Sequence, residues 1–96
     1  MSEAKQVRVI ITGLVQGVFF RAGTRDRAKA LNLRGRVWNN PDGTVEAVFI
    51  GSSENIDRAI EWCRQGPDGS RVDEINIKDE PLREEALTDF TIEYGA

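Results

Sequence analysis

The sequence predicts an α+β fold in the order β-α-β-β-α-β, with two helices on one face of a single antiparallel sheet. Three observations lead there. Two segments carry apolar residues at helical spacing. Short runs rich in β-branched residues flank each of them. A strong turn, Asn40-Pro41-Asp42-Gly43, joins two of those runs into a hairpin.

Residues 1–6 are polar and read as a flexible lead. Gln6–Thr12 alternates at first and is β-branched: strand one. Gly13–Phe20 then breaks the pattern with two glycines and a glutamine. Arg21–Leu31 places Thr24, Ala28 and Leu31 on one helical face, and Asn32 is a left-handed stop. Gly35–Asn39 and Thr44–Ile50 are the hairpin strands. Ser52 and Ser53 can cap a second helix, whose stripe is Ile56, Ala59, Ile60 and Cys63. Gly66-Pro67 stops it. Val72–Ile77 alternates as a fourth strand. Lys78–Asp89 is acidic and weakly patterned, with Leu82 and Leu87 as anchors. Phe90–Tyr94 reads as an additional edge strand. This order is the split-βαβ, ferredoxin-like arrangement, which hosts many functions and decides none alone.

The 96 residues suit one domain with one core. At 40% hydrophobic and 30% charged the chain is not of disordered composition. No apolar run approaches the roughly 20 residues that cross a bilayer, and the N-terminus lacks the apolar centre of a signal peptide. A soluble cytoplasmic monomer is expected. One cysteine excludes an internal disulfide. The absence of histidine removes the commonest general base and the commonest metal ligand, so a zinc site is not expected. Catalysis would have to use carboxylates, amides, hydroxyls, cations or the backbone. Cys63, on an apolar stripe and without a partner base, reads as a core residue.

The net charge of −3 hides an asymmetry. Residues 1–36 carry eight Lys/Arg against two acids, whereas the remainder carries five against fourteen. A basic first third on an acidic chain suits a small anion better than a long polyanion. Plain solvated charges explain the same numbers, and Arg25, Arg27 and Lys29 read as such a face, able to steer anions.

The interrupting segment lies between a strand end and a helix N-terminus, where N–H groups lack partners and the macrodipole is positive. Glycines allow those groups to turn inward. Such a concavity binds anions, phosphate above all. Arg21 adds a permanently charged fork that fits phosphate. Taken alone, the segment reads first as an ordinary turn followed by a solvated arginine, with anion binding as the alternative.

Gly13-Leu14-Val15-Gln16-Gly17-Val18-Phe19-Phe20-Arg21 resembles the first signature of the acylphosphatases, G-x-V-Q-G-V-x-F-R. Gly35-Arg36-Val37-Trp38-Asn39-Asn40-Pro41-Asp42-Gly43-Thr44-Val45 resembles the second, and the likeness runs on to Tyr94. Two long motifs at the right separation are far more specific than either alone. Arg36 and Trp38 reverse the family's usual aromatic and long polar residue, which leaves the edge near Trp38 in question. Asn32 stands where glycine is usual.

The resemblance implies hydrolysis of small acyl phosphates to carboxylate and inorganic phosphate. It assigns phosphate binding to the backbone of Gly13, Leu14, Val15, Gln16, Gly17, Val18, Phe19 and Phe20. It makes Arg21 and Asn39 catalytic, Arg21 holding phosphate and Asn39 orienting the attacking water. It implies no metal, no cofactor, no nucleic acid and no membrane. Gln16 is given no chemistry beyond its backbone. Two rivals stay open. An RNA-binding module shares the architecture but needs paired aromatics on central strands, and Thr44–Gly51 offers only Phe49. A non-catalytic or embedded acylphosphatase-like domain is the other. The initial methionine and the stop soon after the last strand argue for a free-standing enzyme.

Overall fold

A computed structural model describes residues 4–83 and 88–94. Its elements are β1 (Ala4–Leu14), α1 (Phe20–Ala30), β2 (Arg34–Asn39), β3 (Val45–Ser52), α2 (Ser53–Gln65), β4 (Arg71–Glu80) and β5 (Phe90–Ile92). They form one five-stranded sheet in the order β4-β1-β3-β2-β5. Among the described residues no helix is long and apolar enough to cross a membrane.

Alternation along the strands builds the core. Val7, Val9 and Ile11 of β1 share a face with Val45, Ala47 and Phe49 of β3 and with Val37 of β2. All seven are buried. The helices close over that face with Phe20, Thr24 and Ala28 from α1 and with Ile56, Ala59, Ile60 and Cys63 from α2. The second helical stripe is therefore buried as its spacing requires. Phe49 stacks on Phe90, ring centroids 5.5 Å apart, and Phe20 meets Trp62 edge-on at 5.7 Å. Burial pushes the Cys63 thiol up to about 12, so it is a packing residue.

Caps follow the local chemistry. The Ser52 hydroxyl accepts from the Asn55 N–H at 3.2 Å and starts α2, and Ser53 is already helical. Gly66, at φ 68, ends the helix, its N–H donating to the Trp62 carbonyl at 2.8 Å. Asn32 takes φ 57, and the following Leu33 N–H closes α1 onto the Ala28 carbonyl at 2.9 Å.

Four differences from the sequence reading have physical causes. Ala4–Gln6, expected to be flexible, pair with Ser52, Gly51 and Ile50 of β3. β4 runs on to Glu80 beyond its alternating part, because the β1 ladder supplies partners for Lys78, Asp79 and Glu80 and β1 side chains pair with Asp79 and Glu80. Leu82 is 38% exposed and is not among the hydrophobics packed against the core, while Leu87 lies outside the described residues. β5 pairs parallel with β2, so the sheet is not wholly antiparallel. β4 finishes at the end of the sheet where β2 begins. A chain crossing there enters β5 beside the start of β2, Phe90 opposite Gly35, and must run the same way.

Candidate active site

The start of the interrupting segment is spent on structure. Gly13 and Leu14 belong to β1 and pair with Val72 and Arg71 of β4. The register shifts between Thr12 and Gly13, and Gly13 sits at φ 140 against the backbone of β4. A Cβ there would overlap the Arg71 carbonyl oxygen and lie 2.9 Å from the Asp73 nitrogen. Val15 is buried and Val18 packs against the core, so the loop is pinned from within. Gly17 takes φ 76 with open space around it. Phe19 takes φ 61, a left-handed conformation that costs a bulky residue about 1–2 kcal/mol.

That geometry leaves the N-terminus of α1 bare. Phe19 occupies the cap position with no side-chain hydrogen bond, and the first turn holds no acid. Gly23 is the first residue of the helix to find an acceptor, the Phe19 carbonyl at 3.0 Å. The N–H groups of the preceding turn have none inside the helix. The contrast with α2, capped by Ser52, is direct. The bare terminus carries positive partial charge.

Arg21 stands in this first turn. Among the described residues it joins none of the salt bridges. Its guanidinium lies 4.9 Å from the centroid of the Tyr94 ring. The parallel β5 delivers Tyr94: Ile92 is level with Val37, and the Glu93 N–H donates to the Val37 carbonyl at 2.9 Å. Tyr94 is thus carried toward the end of β2, where Asn39 sits.

Asn39 lies on the helix-covered face, in the row of Ile11 and Val45. Its Oδ1 is buried with no hydrogen-bond partner, alone in this among the described side chains. A buried acceptor without a partner costs about 1–3 kcal/mol, which a hydrogen-bonding ligand would recover. Val15, Gly17, Phe19, Phe20, Arg21, Ala22, Asn39, Ile92 and Tyr94 line one cavity of about 280 Å³. Of the residues singled out by sequence, Gly13, Leu14, Gln16 and Val18 are outside that lining.

Gln16 has a task the sequence concealed. Its Nε2 donates to the Asn40 carbonyl at 2.8 Å and to the Thr44 carbonyl at 3.0 Å. It ties the loop to the hairpin that begins at Asn39. The hairpin is braced elsewhere too. Asn40 Nδ2 donates to Thr44 Oγ1 at 3.0 Å and to Glu46 Oε1 at 2.9 Å, and Trp38 Nε1 donates to Asn40 Oδ1 at 3.0 Å. The Thr44 hydroxyl and N–H donate to Asp42, holding its carboxyl below the ordinary value. Trp38 itself is on the open face, with the Arg36 and Arg8 guanidinia 5.2 and 5.7 Å from its ring. The Arg36/Trp38 reversal therefore does not reach the cavity. The open face also carries Arg8 paired with Glu46 and Glu80, while Phe49 is buried under the helices. Phe49, the aromatic that Thr44–Gly51 offered the RNA-binding reading, is therefore not on the open face.

A family model described as acylphosphatase matches residues 7–92. The chain belongs to the acylphosphatase family. It is 48% identical over 79 residues to an acylphosphatase of Rubrobacter xylanophilus, covering 82% of this chain and 72% of that one. The acylphosphatase crystal structure from Bacillus subtilis superposes with a TM-score of 0.89 at 32% identity, over 96% of this chain and all of that one. Full-length HypF, in its phosphate- and nucleotide-bound form, contains a similar unit: TM-score 0.89 at 28% identity, over 98% of this chain but 12% of that one. The same acylphosphatase-like unit thus occurs both as a whole chain and within a much longer one.

Proposed function

We propose that this chain hydrolyses small acyl phosphates to a carboxylate and inorganic phosphate, without metal or cofactor. One observation carries the reading. The bare N-terminus of α1, Arg21 and Asn39, whose buried Oδ1 has no partner, line the same cavity. A positively charged backbone terminus and a fixed guanidinium suit a phosphate dianion. A buried amide oxygen suits a water O–H.

In this reading the phosphate sits on the N–H groups of the loop and first turn, from Val15 to Phe20, with Arg21 as its fork. Gly13 and Leu14 support the cradle through the β1–β4 ladder instead of touching phosphate. Asn39 Oδ1 accepts a hydrogen bond from the attacking water and aims its oxygen at phosphorus. As the new P–O bond forms, the P–O bond to the acyl group breaks and its electron pair leaves on the carboxylate. The water proton passes to a phosphate oxygen. The departing acid has a pKa of about 4–5, so no general acid is required. The loose transition state needs little push from a base. Positioning and charge stabilisation then carry the rate, and the lack of histidine is no handicap. Every group invoked comes from one chain, so a monomer suffices.

Benzoyl phosphate hydrolysis tests the reading. Arg21→Ala is expected to lose turnover and phosphate binding together. Asn39→Ala is expected to lower kcat by about 10²-fold or more, as loss of a positioning group does, while inhibition by inorganic phosphate survives. Near-normal hydrolysis by Arg21→Ala would refute the assignment, and full turnover by Asn39→Ala would refute the water-orienting role.

A further inference from the structure

The cavity is larger and less polar than phosphate requires. Away from Arg21 and Asn39 it is lined by Val15, Phe20, Ala22 and Ile92, with Phe19 and Tyr94 as its exposed members. At about 280 Å³ it lies just under the roughly 300–1,000 Å³ of sites for drug-sized ligands, so it suits a small molecule with a body as well as a phosphate.

The two aromatics are out of place as folding elements. Phe19 is 84% exposed and Tyr94 74%, the two most exposed large apolar side chains among the described residues. Both line this one cavity. Phe19 also holds φ 61, where every other left-handed position among the described residues is glycine or asparagine. A ring so exposed contributes little to packing, and glycine would take that backbone without strain. Stability therefore does not account for an aromatic at position 19. Proximity to the phosphate end does: Tyr94 already stacks on Arg21, 4.9 Å from ring centroid to guanidinium.

We propose that Phe19, together with Tyr94, forms the acyl-group subsite and selects acyl phosphates with a planar, apolar acyl group over acetyl phosphate. This rests on the acyl phosphate reading above and names the substrate class of the same site. The aromatic rings meet the face or edge of the acyl group and cover it from water, an interaction unavailable to a methyl group.

The test compares kcat/KM for benzoyl phosphate and acetyl phosphate in the wild type, Phe19→Gly and Phe19→Tyr. The benzoyl-to-acetyl ratio is expected to fall about tenfold in Phe19→Gly, the size of one aromatic contact. Phe19→Tyr, which restores the ring, is expected to keep the ratio within about twofold. Both rates come from the same preparation, so a partly unfolded variant leaves the ratio unaffected. A ratio unchanged in Phe19→Gly overturns the subsite. Hydrolysis of neither compound by the wild type overturns the activity itself, a distinct result.

Discussion

Replacing Gln16 by methionine keeps the length of the side chain and removes its two hydrogen bonds. The donor lost is Nε2, 2.8 Å from the Asn40 carbonyl and 3.0 Å from that of Thr44. Each such bond contributes about 0.5–1.5 kcal/mol net. Neither carbonyl is left bare, because Asn40 O also accepts from the Gly43 N–H at 3.1 Å and Thr44 O from the Asn40 N–H at 2.9 Å. The loss should thus be in the lower half of the range, about 1–2 kcal/mol for the pair. In a domain of this size it lowers Tm by about 4–16 °C. If the same free energy holds Asn39 against the loop, kcat falls about 5- to 30-fold. Calorimetry gives the first number and benzoyl phosphate hydrolysis the second. Inorganic phosphate, tested as an inhibitor, should keep its affinity, since the backbone cradle remains. Gln16→Glu turns the donor into an acceptor facing two carbonyls and should fall further on both measures. Wild-type Tm and kcat in Gln16→Met would refute the tie. A loss of phosphate affinity equal to the loss of kcat would show that the cradle, and not the placement of Asn39, had been disturbed.

Three further outcomes are expected. Gly13→Ala forces a Cβ into the Arg71 carbonyl at φ 140, which should cost about 3 kcal/mol or more from overlap and strain together; a Tm within about 2 °C of wild type, against the 4–8 °C expected per kcal/mol, would contradict it. The Arg8 guanidinium, helped by Gln6, holds Glu80 below the 4.5 of a free glutamate. Its contribution is therefore present above that pH and is lost as pH falls through the lower folded value. Urea unfolding should show wild type about 1 kcal/mol more stable than Glu80→Gln at pH 7, the gap narrowing as pH falls below the value of a free glutamate; a gap that stays constant on acidification would contradict the pairing. Millimolar EDTA should leave acyl phosphate hydrolysis unchanged, and activity lost to EDTA and restored by Mg²⁺ would rule out the metal-free mechanism.

Local signals made much of the fold legible. The stripe Ile56, Ala59, Ile60 and Cys63 could be read as a buried face because a helix repeats its own side-chain directions. Asn40–Gly43 could be read as a turn because its residue types select that backbone. Asn32 could be read as a helix stop because few residues tolerate its φ of 57. What escaped depended on partners far along the chain. The length of β4 and the order in Ala4–Gln6 come from ladders formed with β1 and β3 and from side-chain pairs made across them. The direction of β5 comes from where β4 ends. At the site, Arg21, Asn39 and Gln16 were legible as motif residues, but the side-chain contacts of Gln16 and Tyr94 were not. A solvated glutamine and one that binds two distant carbonyls are the same letter, and a C-terminal tyrosine has no local sign of an arginine beneath it.

By itself the sequence determined the inventory: which segments become helix or strand, where they stop, the absence of histidine, and two motifs eighteen residues apart from Arg21 to Asn39. Those are properties of local sterics and composition. The tertiary structure decided the meeting of the parts. It put Gly13 and Leu14 into the sheet and left the start of α1 uncapped. It turned Asn39 inward, with its oxygen unpartnered, and brought Tyr94 across onto Arg21. The reason is physical. Propensity acts over a few residues, whereas this cavity is lined by groups from β2, α1 and the end of β5, and only the packed sheet brings them together.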